Sequence, residues 1–376
     1  MNIKKYILLL SVGLMAVSCK DKIEVEPQGT PAQEGDEVIF GAALDANAVS
    51  RTIYGIEVGE GTTNDYFPIN WVKGDQVIVA SPQCSRTSGT YKVPDAADNQ
   101  PSAGTLNRVG SAGVQWGSAN VATFYSIYPQ REAPYNVTTQ DCSTFTLNMP
   151  QVQTCLVAGK TPKMTTADMY ACFMYAKSTV DRTTTNVVNL HYTPLSTAIR
   201  FKLKGSGSST TIINRIDLVG PTALSGKFEV DLSGSTPKVT LTSDTSHVFT
   251  VFARYENEAS LQLSNNQTIE LNAFIIPQEN QKIDNTWYIK VTLADGKQFI
   301  KNLGGTQTTG HTMNLAFGQI HRLPDLPAIT AGAWKNEDWM RNIPRNVYLS
   351  EISIPGSWSS LNDDYQEGIN TIGNKP

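Results

Sequence analysis

The chain has 376 residues, and its 30 lysines and arginines against 34 aspartates and glutamates give a formal net charge of −4. Apolar residues make up 40% and charged residues 17% of the chain. These values exclude a disordered acidic tail and a bundle of membrane-spanning helices. Because there is no basic excess to neutralise phosphates, we expect no nucleic-acid partner.

The N-terminus has the pattern of a bacterial lipoprotein signal. Two lysines precede an apolar run at residues 6–17, which is too short to cross about 30 Å of hydrocarbon as a stable anchor. Small residues then lead to Cys19, with Ala16 where such signals usually carry leucine. We therefore expect a signal peptide over residues 1–18, a lipid on Cys19 and a polar tether over residues 19–36. The alternative is ordinary signal cleavage that leaves Cys19 free.

Four cysteines follow the tether, an even number in a chain that is expected to be exported. Their spacing matches no metal-binding or redox motif, and three disulfide pairings are possible. A chain of this size does not need disulfides to stabilise its core, so buried free thiols are the alternative. The four residues are Cys84, Cys142, Cys155 and Cys172.

Short runs rich in β-branched and aromatic residues alternate with turns along the rest of the chain, which predicts β-strands. The runs are residues 37–44, 76–80, 122–128, 187–192, 198–204, 212–219, 227–232, 248–253, 271–276, 288–293 and 297–300. Asp295 and Gly296 predict a tight hairpin turn between the last two runs. No window of ten or more residues after Gly35 has a convincing helical apolar stripe. The sequence therefore predicts an all-β fold.

The run at residues 198–204 alternates most strictly between apolar and basic residues. This period of two predicts a strand with Ile199, Phe201 and Leu203 facing a core, and with the cations Arg200 and Lys202 facing outward.

A polar stretch at residues 181–186 separates two series of predicted strands. We therefore expect two tandem β-sandwich domains, over residues 37–186 and 187–322. A proline-containing segment then opens an irregular tail over residues 323–376.

An ordered set of short segments carries a family resemblance. Behind the lipoprotein signal and tether come VIFGAAL at 38–44, SRT at 50–52, NWVKGD at 70–75, FYSIYP at 124–129, MP at 149–150 and YTPLSTAI at 192–199. Over about residues 19–322, this order resembles the fimbrillins of Bacteroidales bacteria, the Mfa-like and FimA-like pilins. The resemblance implies two transthyretin-like, Greek-key β-sandwiches in a lipoprotein of the outer membrane, cell surface or pilus.

The resemblance also implies a way of assembling. An arginine-specific surface protease removes the first strand of a fimbrillin, and a strand from another pilin subunit fills the exposed groove. In this chain the cleavage would fall between Arg51 and Thr52, past the first strand. The protein would be a structural or accessory pilus subunit, with an adhesive role. The strand that cleavage removes, the self-strand, would include Val38, Ile39, Phe40 and Leu44. Alternatively, Arg51 is only an exposed polar residue and the first strand is kept.

Catalytic, metal-binding and cofactor-binding motifs are not found in the sequence up to residue 322. The histidines have neither the spacing of a metal site nor a nucleophile motif near them. We therefore expect no enzyme activity, no metal and no cofactor. A glycan-binding sandwich is a further alternative, and it would need exposed aromatic platforms. The candidate platforms are Trp116, Trp287 and Trp334.

The tail at residues 339–360 resembles the start of the catalytic X domain of phosphatidylinositol-specific phospholipase C. Aligned on the IPG motif at 354–356, the position of that family's catalytic histidine holds Trp358. An indole cannot transfer a proton near neutral pH, and such a barrel needs about 250 residues. Either the chain is the pilin-like module of a truncated phosphodiesterase-like surface lipoprotein, or the similarity is accidental.

Overall fold

The computed structural model of the protein describes the following residues: 29–44, 53–54, 69–157, 166–207, 209–255, 257, 259–264, 266–284, 286–303, 313–323 and 325–336. Regular structure in these residues is nearly all β-strand, which confirms the predicted all-β class. Two short 3-10 helices also occur, at Asp95–Ala97 and Met169–Ala171.

The strands fall into two series along the chain. The first series is β1 (Ile39–Leu44), β2 (Ile53–Tyr54), β3 (Ile69–Asn70), β4 (Gln76–Ala80), β5 (Ser88–Lys92), β6 (Ser102–Thr105), β7 (Asn107–Arg108), β8 (Val121–Tyr128), β9 (Thr138–Thr139), β10 (Thr144–Met149), β11 (Val152–Leu156), β12 (Met174–Asp181) and β13 (Val187–Pro194). The second series is β14 (Thr197–Lys204), β15 (Thr211–Val219), β16 (Ser225–Asp231), β17 (Lys238–Ser246), β18 (Val248–Arg254), β19 (Leu261–Leu263), β20 (Thr268–Ile275), β21 (Lys282–Ile283), β22 (Tyr288–Leu293), β23 (Gln298–Asn302), β24 (Met313–Asn314), β25 (Ile320–Arg322) and β26 (Lys335–Asn336).

Four larger sheets enclose two apolar cores. The first core lies between a sheet of order β6-β1-β13-β12-β8-β4-β5-β7 and a sheet of order β17-β16-β10-β9. The second core lies between a sheet of order β11-β18-β15-β22-β23-β26, in which β19 pairs with β15, and the sheet β20-β14-β25. Each core is filled by alternate residues of the strands that face it, as expected for packed sheets.

Strand pairings cross the expected boundary between residues 186 and 187. β13 pairs with β1 and β12, β16 pairs with β10, and β11 pairs with β18. Residues 225–246 therefore belong to the first core, and residues 152–156 belong to the second. Periodicity along the chain did not indicate this exchange, because the pairing partners lie far apart in sequence.

An amide on β11 joins the two sheets that enclose the second core. The buried side chain of Gln153 donates a hydrogen bond from Nε2 to the carbonyl oxygen of Phe274 at 2.6 Å. Its Oε1 accepts from the Phe274 N–H at 2.9 Å. Gln153 thus gives β20 the two backbone partners that a neighbouring strand would supply.

β14 has the predicted core-facing side chains, but one prediction about its outer face is wrong. Ile199, Phe201 and Leu203 all pack in the second core. Arg200 is only 3% exposed, because its Nη2 donates to the Glu270 carboxylate at 2.8 Å. Since the partner lies on β20, 70 residues along the chain, the sequence pattern of β14 alone could not indicate a buried ion pair.

Two turns place a glycine in the left-handed conformation, and one of them is the predicted hairpin turn at Asp295 and Gly296. Gly74 has φ +83° in the turn before β4, where the Asp75 carboxylate accepts from the Val72 N–H at 2.8 Å. Gly296 has φ +81° between β22 and β23. Both positions need the left-handed conformation that glycine adopts without a steric penalty. Within the described residues, no helix has the length and apolarity needed to cross a membrane.

The four cysteines are buried free thiols in this structure, so the alternative without disulfides is the one observed. Burial raises the pKa of both Cys84 and Cys142. The reactive thiolate form is therefore scarce at neutral pH, and the thiols are shielded from reagents.

We expect maleimide to leave these four cysteines unmodified in the folded protein and to label all of them after denaturation. Burial and a small thiolate fraction both slow the reaction in the native state. Peptide mass mapping before and after denaturation measures the labelling site by site. A disulfide-linked peptide pair, or rapid labelling of the native chain, would contradict the expectation.

Candidate functional site

The first strand of the chain lies inside a sheet and is bonded along both edges. β1 runs parallel to β13, from Ile39 opposite Val187 to Leu44 opposite Tyr192. Its other edge pairs antiparallel with β6. The backbone groups of β1 are therefore satisfied as those of an interior strand are, although it is the first strand described.

Alternate side chains of this strand enter the first core. Val38 and Phe40 are 2% and 1% exposed, and Ala42 and Leu44 are also buried. Ile39 is 36% exposed, because successive side chains of a strand point to opposite faces. Of the residues predicted to form the self-strand, three face the core and Ile39 faces away from it.

Phe40 lies against an aromatic wall. Its ring meets those of Tyr91 and Phe124 edge to face, with centroids 4.8 Å and 5.5 Å away. Trp116 in turn packs on Phe124 at 5.2 Å. Burial raises the pKa of Tyr91 to about 12, and its hydroxyl accepts a hydrogen bond from the Val114 N–H at 2.7 Å. The wall is thus a packed surface in which the Tyr91 hydroxyl is hydrogen-bonded.

The described part of the predicted tether, residues 29–36, also contacts the first domain. The Ala32 N–H donates to the Arg182 carbonyl at 2.8 Å, and the Gly35 N–H donates to the Trp116 carbonyl at 2.9 Å. The Ala32 side chain is buried. This stretch is therefore bonded to the domain rather than extending freely away from it.

The other predicted site residues cannot be placed against β1. Cys19, Arg51, Thr52 and the tail residue Trp358 lie outside the described residues. Lipidation, cleavage and the phospholipase-like tail stay predictions. In the sequence, Arg51 comes seven residues after Leu44, the last described residue of β1.

The tryptophans proposed as glycan platforms are buried, so that prediction is wrong. Trp116 and Trp287 are 0% exposed and Trp334 is 2% exposed. Trp287 and Trp334 donate their indole N–H groups to the carbonyl oxygens of Lys282 and Pro327, at 2.9 Å and 3.1 Å. All three side chains are packed within the cores.

The titratable groups of the described residues do not form a catalytic constellation. His321 is buried, and burial lowers its pKa, so it is neutral near pH 7. Its Nε2 accepts from the Ala316 N–H at 3.4 Å, which is a structural contact. In the part of the chain that the structure describes, no group of three or more histidine, cysteine or acidic residues is arranged to hold a metal ion.

Comparison with known proteins gives matches among solved structures. No protein-family model and no curated protein matches the chain. The phospholipase-like tail accordingly finds no support in these comparisons.

Three solved structures illustrate the similarity. A candidate cell adhesion protein from Bacteroides ovatus is 12% identical, with a TM-score of 0.46 over 81% of this chain and 96% of its own. One from Bacteroides uniformis is 14% identical, with a TM-score of 0.44 over 80% and 96%. The fimbrial anchor protein Mfa2 from Porphyromonas gingivalis is 8% identical, with a TM-score of 0.29 over 71% and 83%.

Truncating Phe40 tests the packing of β1. We expect Phe40→Ala to lower the free energy of unfolding by about 3–5 kcal/mol, because it removes a fully buried ring from an aromatic wall. Ile39→Ala, one residue away on the exposed face, is the matched control and should cost less than about 1 kcal/mol. Urea denaturation followed by tryptophan fluorescence measures both values. Equal losses for the two variants would show that β1 is not packed in this way.

Proposed function

We propose that this protein is a cell-surface lipoprotein of the fimbrillin type, a structural or accessory pilus subunit that assembles by donor-strand addition. Lipid on Cys19 would hold the precursor at the outer membrane. An arginine-specific surface protease would then cut between Arg51 and Thr52, and other pilin subunits would be the partners. We infer a structural and adhesive role rather than a catalytic one.

The observation that carries this proposal is the position of β1. A strand at the start of the chain occupies the interior of a sheet and fills a core with alternate side chains. Cleavage after Arg51 would separate residues 29–44 from the rest of the polypeptide. No other covalent link between this strand and the domain occurs in the described residues.

Loss of β1 would leave a groove with a defined chemistry. The facing edges of β6 and β13 would each present unpaired backbone groups, which favour the binding of another strand. The floor would expose the aromatic wall of Tyr91 and Phe124, which Phe40 now covers. An incoming strand with apolar residues at every second position would satisfy both requirements.

Retention of β1 would give the protein a different place in a pilus. A subunit with a filled groove cannot accept a donor strand there, so it would end a filament or anchor it. The experiments below separate these two roles.

We expect surface-assembled protein to begin at Thr52. Arg51→Ala should keep the precursor, detected as a chain that starts at acylated Cys19, because an arginine-specific protease needs that side chain. Arg86→Ala removes an exposed arginine between β4 and β5 and is the matched control. N-terminal sequencing and intact-mass measurement give the answer. Assembled material that starts at Cys19 would support the capping role instead.

A reversible lock on β1 tests strand displacement separately from cleavage. Ala43 and His191 are register partners on β1 and β13, and both side chains lie outside the core. The double variant Ala43→Cys with His191→Cys should form a disulfide, since neighbouring strands bring their backbones close enough. We expect the oxidised variant not to assemble and reduction to restore assembly, as measured by the size distribution of surface polymers.

The two single variants are the controls, because neither can lock the strand. Polymerisation of the oxidised double variant at the rate of its reduced form would contradict displacement of β1.

A further inference from the structure

A cavity of about 410 Å³ lies away from β1, at the end of the sheet where β4 begins and β8 ends. It opens between the turn at residues 72–76 and the loop at residues 129–132, beside the short helix that contains Tyr170. Its volume is in the range of small-molecule sites.

The guanidinium of Arg131 packs against two aromatic rings at this cavity. Its central carbon lies 4.3 Å from the ring centroid of Tyr170 and 4.9 Å from that of Tyr135. In the described part of the chain, no acceptor is hydrogen-bonded to this guanidinium. Packing against two rings restrains the guanidinium, and its N–H groups remain available to a ligand. A planar fork of donors is suited to binding a carboxylate through two hydrogen bonds.

Asp168, an acid that interacts electrostatically with Arg131, already has hydrogen-bond donors of its own. The Asp168 carboxylate accepts from the backbone N–H groups of Tyr170 and Thr154, at 3.1 Å and 3.0 Å. Burial raises its pKa, while Arg131 acts in the opposite direction. Asp168 therefore caps the helix instead of pairing with the guanidinium.

The remaining charges of the cavity leave room for an anion. Lys73 is exposed and supplies a second cation. The Asp75 carboxylate already accepts hydrogen bonds from the Val72 N–H in its own turn and from the Tyr128 hydroxyl, at 2.8 Å and 3.4 Å. Glu132 is exposed and can turn into solvent.

Neutral groups of the cavity suit a polyhydroxyl ligand. Gln130 uses its Oε1 to accept from the Val137 N–H at 3.0 Å, which leaves its NH₂ as a donor. Gln76 adds a second amide. Tyr170 is 57% exposed, so its ring offers an apolar platform at the mouth. A sugar ring can pack its C–H groups on such a platform while its hydroxyls bind the amides.

We propose that this cavity binds an acidic saccharide of the hexuronate type, with the carboxylate on Arg131, assisted by Lys73, and a sugar ring on Tyr170. The inference does not depend on donor-strand addition, because the cavity and β1 share no residue.

Isothermal titration of the full mature chain with tetragalacturonate tests the proposal. We expect saturable binding that weakens at least about tenfold for the methyl-esterified tetramer, in which the carboxylates are masked, and for tetraglutamate, which lacks the hydroxyls. Arg131→Gln and Tyr170→Ala should each weaken binding at least about tenfold. Arg254→Gln is the matched control, because Arg254 stacks on the ring of Phe252, outside the cavity, at 4.8 Å.

Several results would overturn the proposal. These are no saturable binding of tetragalacturonate, equal binding of its methyl ester, tighter binding of tetraglutamate, or an Arg131→Gln protein with unchanged affinity. Thermal unfolding of each variant shows whether it is folded. If Arg131→Gln does not fold, the test rests on the Tyr170→Ala variant, whose substituted side chain is exposed. Unchanged affinity of that variant for tetragalacturonate would then overturn the proposal.

Discussion

An interior β-strand needs hydrogen-bonding partners along both edges, and in this protein the first strand finds them in two strands that are far apart in the chain. β6 supplies one edge and β13 supplies the other. The backbone therefore creates a slot of one strand's width, and the aromatic wall behind Phe40 selects what can fill it.

The two cores are joined by more than a linker. β16 and β17 complete the first core, and β11 extends a sheet of the second. Within the second core, Gln153 adds a pair of hydrogen bonds between β11 and β20. Because the chain passes between the two cores more than once, several connections link them and not a single linker.

The alternation of apolar and polar residues within single strands predicted much of this structure. The predictions that failed concern features that depend on contacts between residues far apart in the chain. Alternation along β14 correctly placed Ile199, Phe201 and Leu203 in a core, because that signal lies within one strand. It missed the burial of Arg200, which depends on Glu270 in a partner strand. β17 was not predicted, because it is mostly polar, lies at a sheet edge and alternates only through Val239 and Leu241. The stacked position of Arg131 likewise depends on Tyr170, which is distant in the chain.

The position of β16 and β17 has a consequence for the order of folding. β10 ends at Met149, and its partner β16 begins at Ser225, so a long stretch of chain must be present before this pairing can form. Contacts between such distant segments require closure of a large loop and slow the search for the native state. During synthesis, the first core consequently stays incomplete until well over half of the polypeptide has emerged. A fragment ending at residue 194 would contain every strand of the eight-stranded sheet, yet it would lack two of the four strands of the sheet that covers its apolar face.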